Sequence, residues 1–138
     1  MEKTLVLIKP DAFGNGHTGD ILQIYEKEGF RIAAMKLMQM DKKIAAKHYA
    51  EHVGKPFYDG LVEFMTSGPI VAMVLEGENV IQRVRDLNGK TNPKDAAEGT
   101  IRKRFAEDGR RNAVHASDSL ESAEREIHVF FNETELYA

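Results

Sequence analysis

Two apolar runs, the first of them nearly continuous, restrict the fold of this 138-residue chain more than any other feature of its sequence. One covers residues 4–8 and the other covers residues 70–75. Runs of this length are typical of strands that are buried on both faces, and they are far shorter than the roughly 20 residues that a membrane-spanning helix needs. We therefore expect residues 4–8 to be a central strand of a sheet and residues 70–75 to be a further strand.

Length and composition predict one globular domain, residues 1–138. Hydrophobic residues make up 42% of the chain and charged residues 30%, which is ordinary for a globular protein. The chain has no cysteine, so it forms neither a disulfide nor a thiolate zinc site. Because the N-terminus leads into strand-like sequence without a signal-peptide pattern, we expect a cytoplasmic protein that does not associate with a membrane.

The spacing of apolar and turn-forming residues predicts the remaining elements. In chain order these are a helix that ends at Gly29, a strand over residues 30–40, helices over residues 42–52 and 59–66, a helix over residues 80–88, a helical turn over residues 100–105, a weak strand over residues 113–115 and a last helix. With the two apolar runs, this order matches the ferredoxin-like βαββαβ pattern with insertions. The predicted fold is therefore α/β (α+β), with a four-stranded antiparallel sheet covered by helices.

Two short motifs suggest functions that their context argues against. Residues 14–19 read G-x-G-x-x-G, but five residues separate the first glycine from the strand. A dinucleotide-binding fingerprint needs that glycine in a tight turn directly after the strand. Residues 48–52 read H-x-x-E-H, the inverted zinc-peptidase pattern, but such enzymes take a further ligand from a larger domain. We expect neither a Rossmann domain nor a peptidase.

Positive charge is concentrated in one segment, although the formal net charge is −3. Residues 83–111 contain nine of the 19 Lys and Arg residues against five acidic residues, whereas residues 117–138 contain six acidic residues and Arg125 alone. A solvated face is the ordinary interpretation of a basic segment. The functional interpretation is a site for a small phosphate compound, which suits an acidic chain better than nucleic acid does.

His115 is the leading candidate for a reactive side chain. It follows a brief apolar pair and precedes a predicted helix, in which Asp118 and Glu121 would be the N-cap and its N3 partner. Leu120 would lie on the apolar face of that helix and Glu126 on a neighbouring face. A carboxylate that holds one imidazole nitrogen leaves the other free to act as a nucleophile. A histidine of this kind near arginines indicates phosphoryl chemistry.

Other positions have both an ordinary and a functional interpretation. Lys9 ends a central strand, where its side chain could reach solvent or enter a cleft. Phe57 lies in a loop between helices, either as a cover over the core or as a platform for a flat ligand. Thr91, backbone amides and arginines on loops are the groups that typically bind a triphosphate.

With these residues in place, the chain resembles the nucleoside diphosphate kinases from about residue 4 to residue 131. Four stretches carry the resemblance. They are T-L-V-L-I-K-P-D-A at 4–12, H-Y-A-E-H with K-P-F-Y at 48–58, G-K-T-N-P with G-T-I-R at 89–102, and N-x-x-H-x-S-D running into E-S-A at 112–123. One such match would be weak, but four in the right order and spacing are highly specific.

The resemblance implies that the chain moves the γ-phosphoryl group of a nucleoside triphosphate, mainly ATP, to nucleoside diphosphates by a ping-pong route through phosphohistidine. It implies Mg²⁺ carried by the nucleotide phosphates, with no metal site on the chain and no required nucleic acid. It also implies a homo-oligomer, and we favour a tetramer over a hexamer. The implied site residues are His115 as nucleophile, Glu126 to orient it, Tyr49 beside it, Lys9 and Asn112 at the ribose hydroxyls and the transferring oxygen, Arg85, Thr91 and Arg102 at the phosphates, and Phe57 against the base.

Two departures from the family pattern affect these expectations. Ala116 stands where the family commonly has glycine, and we expect it to be tolerated if its φ is negative. Gly109 and Arg110 stand where many members carry a hydrophobic residue over the other face of the base. Stacking on Phe57 alone predicts loose nucleotide binding and little discrimination between bases.

Three other functions fit the sequence less well. A nucleic-acid-binding module would alternate aromatic and basic residues along adjacent strands, and no strand here does so. A catalytically silent relative would lack His115 or the arginines, which this chain keeps. A triad of His115, Ser117 and Asp118 fails because residues two or three apart at a helix start do not usually converge on one imidazole.

Overall fold

The computed structural model describes residues 1–137, in which an antiparallel sheet has helices packed on both faces. The strands are β1 (Glu2–Ile8), β2 (Arg31–Met38), β3 (Ile70–Gly77) and β4 (Val114–Ala116). The helices are α1 (Pro10–Gly14), α2 (Thr18–Lys27), α3 (Lys42–His48), α4 (Tyr58–Met65), α5 (Val80–Asn88), α6 (Ile101–Phe105) and α7 (Leu120–Phe130), and two 3₁₀ turns cover Ala50–His52 and Glu133–Glu135. The strand order β2-β3-β1-β4 confirms the ferredoxin-like prediction.

The central position of β1 follows from its unbroken apolar sequence. Successive side chains of a strand point to opposite faces, so such a run can serve two cores. Val6 and Ile8 pack on the face that carries α2, α5 and α6, whereas Leu5 and Leu7 pack on the face that carries α3, α4 and α7. The predicted central strand, β1, lies in the middle of the sheet, and β3 lies beside it. No helix of residues 1–137 has both the length and the apolar character needed to cross a membrane.

The helix predicted over residues 42–52 is two elements. It begins as expected, because Asp41 Oδ1 accepts a hydrogen bond from Ile44 N at 2.8 Å. It ends at His48, since Tyr49 leaves the helical region with φ −101° and ψ 31°. The two histidines of the H-x-x-E-H motif therefore do not share a helix, and the geometry of a zinc peptidase is absent.

The start of α7 also differs from the prediction. Ser119, not Asp118, is the N-cap, and its Oγ accepts from Ser122 N at 3.1 Å. This cap moves the helix start by one residue and makes Leu120 the first helical position. The Leu120 side chain is 63% exposed instead of buried, so its place on the apolar face was wrongly predicted. Ala123, three residues and about one turn after Leu120, does lie in the core.

The junction after β1 contains a helix that the sequence did not reveal. Lys9 and Pro10 read as a simple strand end, but proline suits the first position of a helix, and α1 starts there. Asp11 on this helix accepts a hydrogen bond from Ala113 N at 3.0 Å. Ala113 has a φ of +74°, which does not continue a strand, so β4 begins at Val114 instead of the predicted residue 113.

Candidate active site

The pairing of β4 with β1 brings His115 beside Leu7 and turns its ring toward α7. His115 Nε2 lies 2.9 Å from Glu126 Oε1, and the Glu126 side chain is 8% exposed. Because a carboxylate accepts, Nε2 carries the proton in this pair. Nδ1 then holds a lone pair and has no hydrogen-bond partner among residues 1–137. The structure thus brings together the two residues expected to be the nucleophile and its orienting group.

Ser117 fixes the position of Glu126 through a hydrogen bond that the sequence analysis did not predict. Its Oγ donates to Glu126 Oε1 at 2.8 Å and accepts from Leu5 N at 3.2 Å. The carboxylate is therefore tied to the central strand as well as to His115. Ser117 stood in the family motif, two residues after His115, and that spacing was the only signal for its part in the site.

Lys9 and Asn112 form a buried pair at the end of β1. Lys9 Nζ donates to Asn112 Oδ1 at 2.7 Å, and the Asn112 amide nitrogen donates to the carbonyls of Thr91 and Gly109 at 3.3 and 3.2 Å. Burial, with a smaller contribution from the positive charge of Arg102, lowers the pKa of Lys9 to about 8. A desolvated ammonium with one polar partner favours the approach of an anion.

Arg102 mainly holds the backbone around the site. Its Nη1 donates to the Gly89 carbonyl and its Nη2 to the Val114 carbonyl, both at 2.8 Å, and its Nε donates to the Asn112 carbonyl at 3.3 Å. A guanidinium has five N–H groups, so two remain for a phosphate. The expected phosphate contact is therefore compatible with a clamp that joins the loop after α5 to β4.

These groups line a cavity of about 590 Å³ that we call the phosphate cavity. Every predicted site residue except Phe57 lines it: Lys9, Tyr49, Arg85, Thr91, Arg102, Asn112, His115 and Glu126. The Arg85 side chain has no hydrogen bond or ion pair with any residue of the described part of the chain. Its charge is available to a ligand in that cavity.

Phe57 lines a second cavity of about 930 Å³, which we call the base slot. One wall is formed by Phe57, Leu61 and Phe64, and the opposite wall is formed by residues 108–111. Lys9, Tyr49, Thr91, Asn112 and His115 line both cavities, so the slot opens onto the reactive histidine. The Phe57 side chain is 45% exposed, as expected for a platform and not for a core residue. Ala116 at the rim of the phosphate cavity has no positive φ, so it is tolerated in place of glycine.

His48 is a site residue to which the sequence analysis gave no role, although it stands in the rejected zinc motif and in one of the four stretches of the family resemblance. Its ring stands edge-on to His115 with the centroids 4.7 Å apart, and it is 3% exposed. Burial, followed by the charge of His115, lowers its pKa well below the usual value, so His48 is neutral at pH 7. Neither of its ring nitrogens has a hydrogen-bond partner in residues 1–137.

Tyr49 packs against His48 with ring centroids 4.5 Å apart and also lines both cavities. Burial, and then the negative charge of Glu126, raise the pKa of the Tyr49 hydroxyl. Tyr49 therefore keeps its proton at neutral pH, where it can act as a hydrogen-bonding group. Its expected place beside His115 stays a prediction.

The protein groups near the site suit a metal that arrives with its ligand. The one group of three metal-binding side chains in residues 1–137 is His48, His115 and Glu126, whose ligand atoms lie within 4.8 Å of one another. Two imidazoles do not suit Mg²⁺, which prefers oxygen ligands and keeps much of its water. Carboxylates of Glu51 and Asp118 line the phosphate cavity, and they are the oxygen groups there that would bind water on a Mg²⁺ ion carried by the phosphates.

Comparison with known proteins assigns this geometry to a family. The family model described as nucleoside diphosphate kinase matches residues 2–136. The nucleoside diphosphate kinase of Thermus thermophilus is 55% identical over 136 residues, 99% of each chain, and that of Desulforamulus reducens is 51% identical over 99% of this chain and 91% of its own.

Solved structures agree with the sequence comparison. The Aquifex aeolicus nucleoside diphosphate kinase superimposes with a TM-score of 0.96 at 46% identity, over 98% of both chains. The Halobacterium salinarum enzyme, solved in complex with CDP, also has a TM-score of 0.96, at 45% identity, over 99% of this chain and 91% of its own. The chain belongs to the nucleoside diphosphate kinase family, whose members transfer a phosphoryl group from nucleoside triphosphates to nucleoside diphosphates.

Proposed function

We propose that His115 is the residue phosphorylated by this enzyme, with the γ-phosphoryl of ATP as the main donor. One observation carries the proposal: Glu126 holds Nε2 of His115 at 2.9 Å and leaves Nδ1 without a partner at the junction of the two cavities. A neutral imidazole held in this way is an activated nucleophile whose orientation is already fixed.

In the first half-reaction, the Nδ1 lone pair attacks the γ-phosphorus, and the bond from that phosphorus to the β-bridging oxygen breaks. The electron pair leaves on the nucleoside diphosphate. The phosphorylated imidazole is then stabilised by Glu126, whose carboxylate accepts from Nε2–H. In the second half-reaction, a terminal oxygen of another diphosphate attacks the same phosphorus and restores neutral His115.

Cationic and polar groups supply most of the remaining catalysis. Phosphoryl transfer needs positioning and positive charge around the transferring oxygens more than covalent assistance. We propose Lys9 for the transferring oxygen and Asn112 for the ribose hydroxyls, and Arg85, Thr91 and Arg102 for the phosphates. The support is their common exposure to the phosphate cavity. Mg²⁺ bound to the phosphates would add charge that this chain does not provide itself.

Initial-rate kinetics test the proposal that transfer occurs in two half-reactions. Rates measured with ATP against several fixed GDP concentrations should give parallel double-reciprocal lines, because no complex contains both nucleotides. Lines that intersect to the left of the axis would indicate direct transfer between two bound nucleotides and would contradict a phosphohistidine intermediate.

Phe57→Ala is expected to weaken the binding of every nucleotide while leaving phosphorylation of His115 possible at saturating ATP. Stacking of one base on an aromatic ring contributes about 1–3 kcal/mol, so Kd should rise by roughly 5- to 160-fold. Calorimetric titration with ADP, GDP, CDP and UDP measures the change. Val53→Ala is the control, since Val53 is also exposed, near Phe57 in sequence, and does not line the slot. Unchanged affinities in Phe57→Ala would remove the stacking role.

Features of the sheet edge support a homo-oligomer, for which we favour a tetramer. β2 is an edge strand that pairs only with β3, and it exposes Met35 and Leu37 at 50% and 61%. An edge strand with exposed apolar residues is usually covered in the native assembly. Native mass spectrometry distinguishes the tetramer from a hexamer or a monomer. We keep the cytoplasm as the proposed compartment, because ATP and nucleoside diphosphates are available there.

A further inference from the structure

The two walls of the base slot differ in the side chains they offer to a flat ligand. Phe57, Leu61 and Phe64 make one wall apolar. On the opposite wall Gly109 has no side chain, so it cannot cover the second face of a base. The residue that follows it is Arg110, and this side chain also lines the slot.

Arg110 extends from its own wall to helix α4. A Cβ built on Gly60 would lie 2.7 Å from Nη1, 2.8 Å from Nη2 and 2.9 Å from Cζ of Arg110, which means that the guanidinium rests directly on the helix backbone at Gly60. Gly60 is three residues, about one helical turn, after Phe57, the residue that caps α4. The Arg110 guanidinium therefore rests on α4 one turn away from Phe57. A side chain at position 60 would occupy the space of the guanidinium.

The guanidinium of Arg110 has no hydrogen-bond or ion-pair partner among residues 1–137, in contrast to that of Arg111. Nε and Nη2 of Arg111 donate to Asp108 Oδ2 at 3.0 and 2.7 Å. The side-chain hydrogen bond from Arg111 is the main cause that lowers the pKa of Asp108 to about 2, and Asp108 Oδ1 accepts from the backbone N–H groups of Arg110 and Arg111. In residues 1–137 the Arg110 side chain makes no hydrogen bond and no ion pair, although its backbone N–H donates to Asp108. Its five N–H donors are free for a ligand in the slot.

We propose that Arg110 contacts the nucleotide base and makes the slot prefer guanine. Guanine presents two adjacent acceptors, O6 and N7, which match the paired donors of a guanidinium. On this edge of the base, adenine places an amino donor beside N7 and cytosine presents an amino donor, so neither offers two adjacent acceptors there. This inference rests on the proposed function, because it takes the cavity beside Phe57 as the base site.

The expected preference is compatible with transfer to all common diphosphates. Stacking on Phe57 serves every base, and the Arg110 contact adds selectivity at the base edge. One exposed bidentate contact gives about a tenfold advantage to the base that accepts it. Guanine nucleotides are therefore the preferred substrates of an enzyme that still accepts the others.

Nucleotide binding to the unphosphorylated enzyme tests the proposal without requiring phosphoryl transfer. Calorimetric Kd values for GDP, ADP and CDP should favour GDP by about tenfold. Arg110→Ala should remove this advantage by weakening GDP and leaving CDP within about twofold, since only guanine loses a bidentate partner. Arg110→Lys, which keeps the charge but not the planar pair of donors, should recover less than half of the advantage on a logarithmic scale. An equal loss for all diphosphates would overturn the proposal.

Base analogues identify the edge that Arg110 contacts. Inosine diphosphate keeps O6 and N7 but lacks the 2-amino group, so its Kd should match that of GDP. 7-Deaza-GDP lacks the N7 acceptor but keeps O6, so its affinity should fall toward that of ADP in the parent enzyme, and Arg110→Ala should weaken it less than it weakens GDP. If inosine diphosphate bound as weakly as ADP, a group other than Arg110 would be reading guanine, and the proposal would be wrong.

Two further variants separate position from charge. Gly60→Ala keeps the positive charge but displaces the guanidinium, so it should weaken GDP binding as Arg110→Ala does; an unchanged GDP preference would count against the proposal. Arg104→Ala removes an exposed arginine whose guanidinium lies over Phe105, 4.7 Å from the ring centroid, outside both cavities, and it should change nothing. A chain that showed the Arg110-dependent preference but formed no phosphohistidine would retain this inference and lose the proposed function.

Discussion

His115→Gln is expected to abolish phosphoryl transfer while the protein stays folded. Glutamine can still donate to Glu126 but has no nucleophilic nitrogen, so kcat should fall by about 10⁴-fold or more, as when another covalent nucleophile is removed. The melting temperature should change by only a few degrees, because a partly exposed polar side chain replaces another. Activity is measured by the rate of GTP formation from ATP and GDP, and folding by circular dichroism.

Another histidine, His128 on α7, provides the matched control. The ring of His128 is 55% exposed and bonds to the Glu124 carbonyl at 2.8 Å, outside both cavities. His128→Gln should keep full activity. Turnover in His115→Gln comparable to that of the parent would mean that another group accepts the phosphoryl, and the mechanism proposed here would be wrong.

Lys9→Met should have the next largest effect on activity, which it should lower. Its effect on stability should be opposite in sign and should depend on pH. Methionine fills similar space without charge, so the phosphate cavity loses the ammonium proposed to meet the transferring oxygen, and kcat should fall by at least 10²-fold, in the range for loss of one charge-stabilising donor. Steady-state kinetics at saturating ATP and GDP measure the fall. Lys103→Met, at an exposed position on α6, is the control and should leave kcat unchanged.

The pKa of Lys9, lowered from 10.5 to about 8, determines the sign of two pH profiles. In the parent, kcat/KM should decline as pH rises through about 8, because it reports the free enzyme. The unfolded chain binds more protons than the folded one between pH 8 and 10.5, so the free energy of unfolding should increase across that interval. The rise amounts to about 3 kcal/mol at most. Urea unfolding of Lys9→Met should lack it. The opposite result would be a free energy of unfolding that falls between pH 8 and 10.5 in the parent, and falls more than in Lys9→Met. That result would contradict the conclusion that burial lowers the pKa of Lys9.

The sheet was predictable because its signals are local. β1 and β3 are unbroken apolar runs, and a strand buried on both faces has few other sequences available to it. The cap at Asp41 was also predictable, since an aspartate before a periodic helix accepts from the N3 amide in a standard way. The start of α7 was harder because Asp118 and Ser119 are both good caps. The choice between them depends on the extended backbone of Ser119, at φ −159° and ψ 167°.

Tertiary contacts decided the features that the sequence did not reveal. Nothing local indicates that Ala113 adopts φ +74°, since alanine rarely does; the hydrogen bond from its N–H to Asp11, remote in sequence, helps to hold it there. Arg102 was predicted as a phosphate ligand, and its three backbone bonds follow only from the approach of the Gly89 loop to β4. Neither the burial of His48 nor the position of Arg110 on Gly60 is encoded by a motif.

Intact-protein mass spectrometry after brief incubation with ATP and Mg²⁺ tests the central claim most directly. We expect the mass of one phosphoryl group, labile in acid, mapped by peptide analysis to His115 and lost again when GDP is added, with GTP formed in equal amount. His115→Gln should show no adduct under the same conditions. A folded, nucleotide-binding parent that gave no adduct, or one that mapped elsewhere, would contradict the phosphohistidine mechanism.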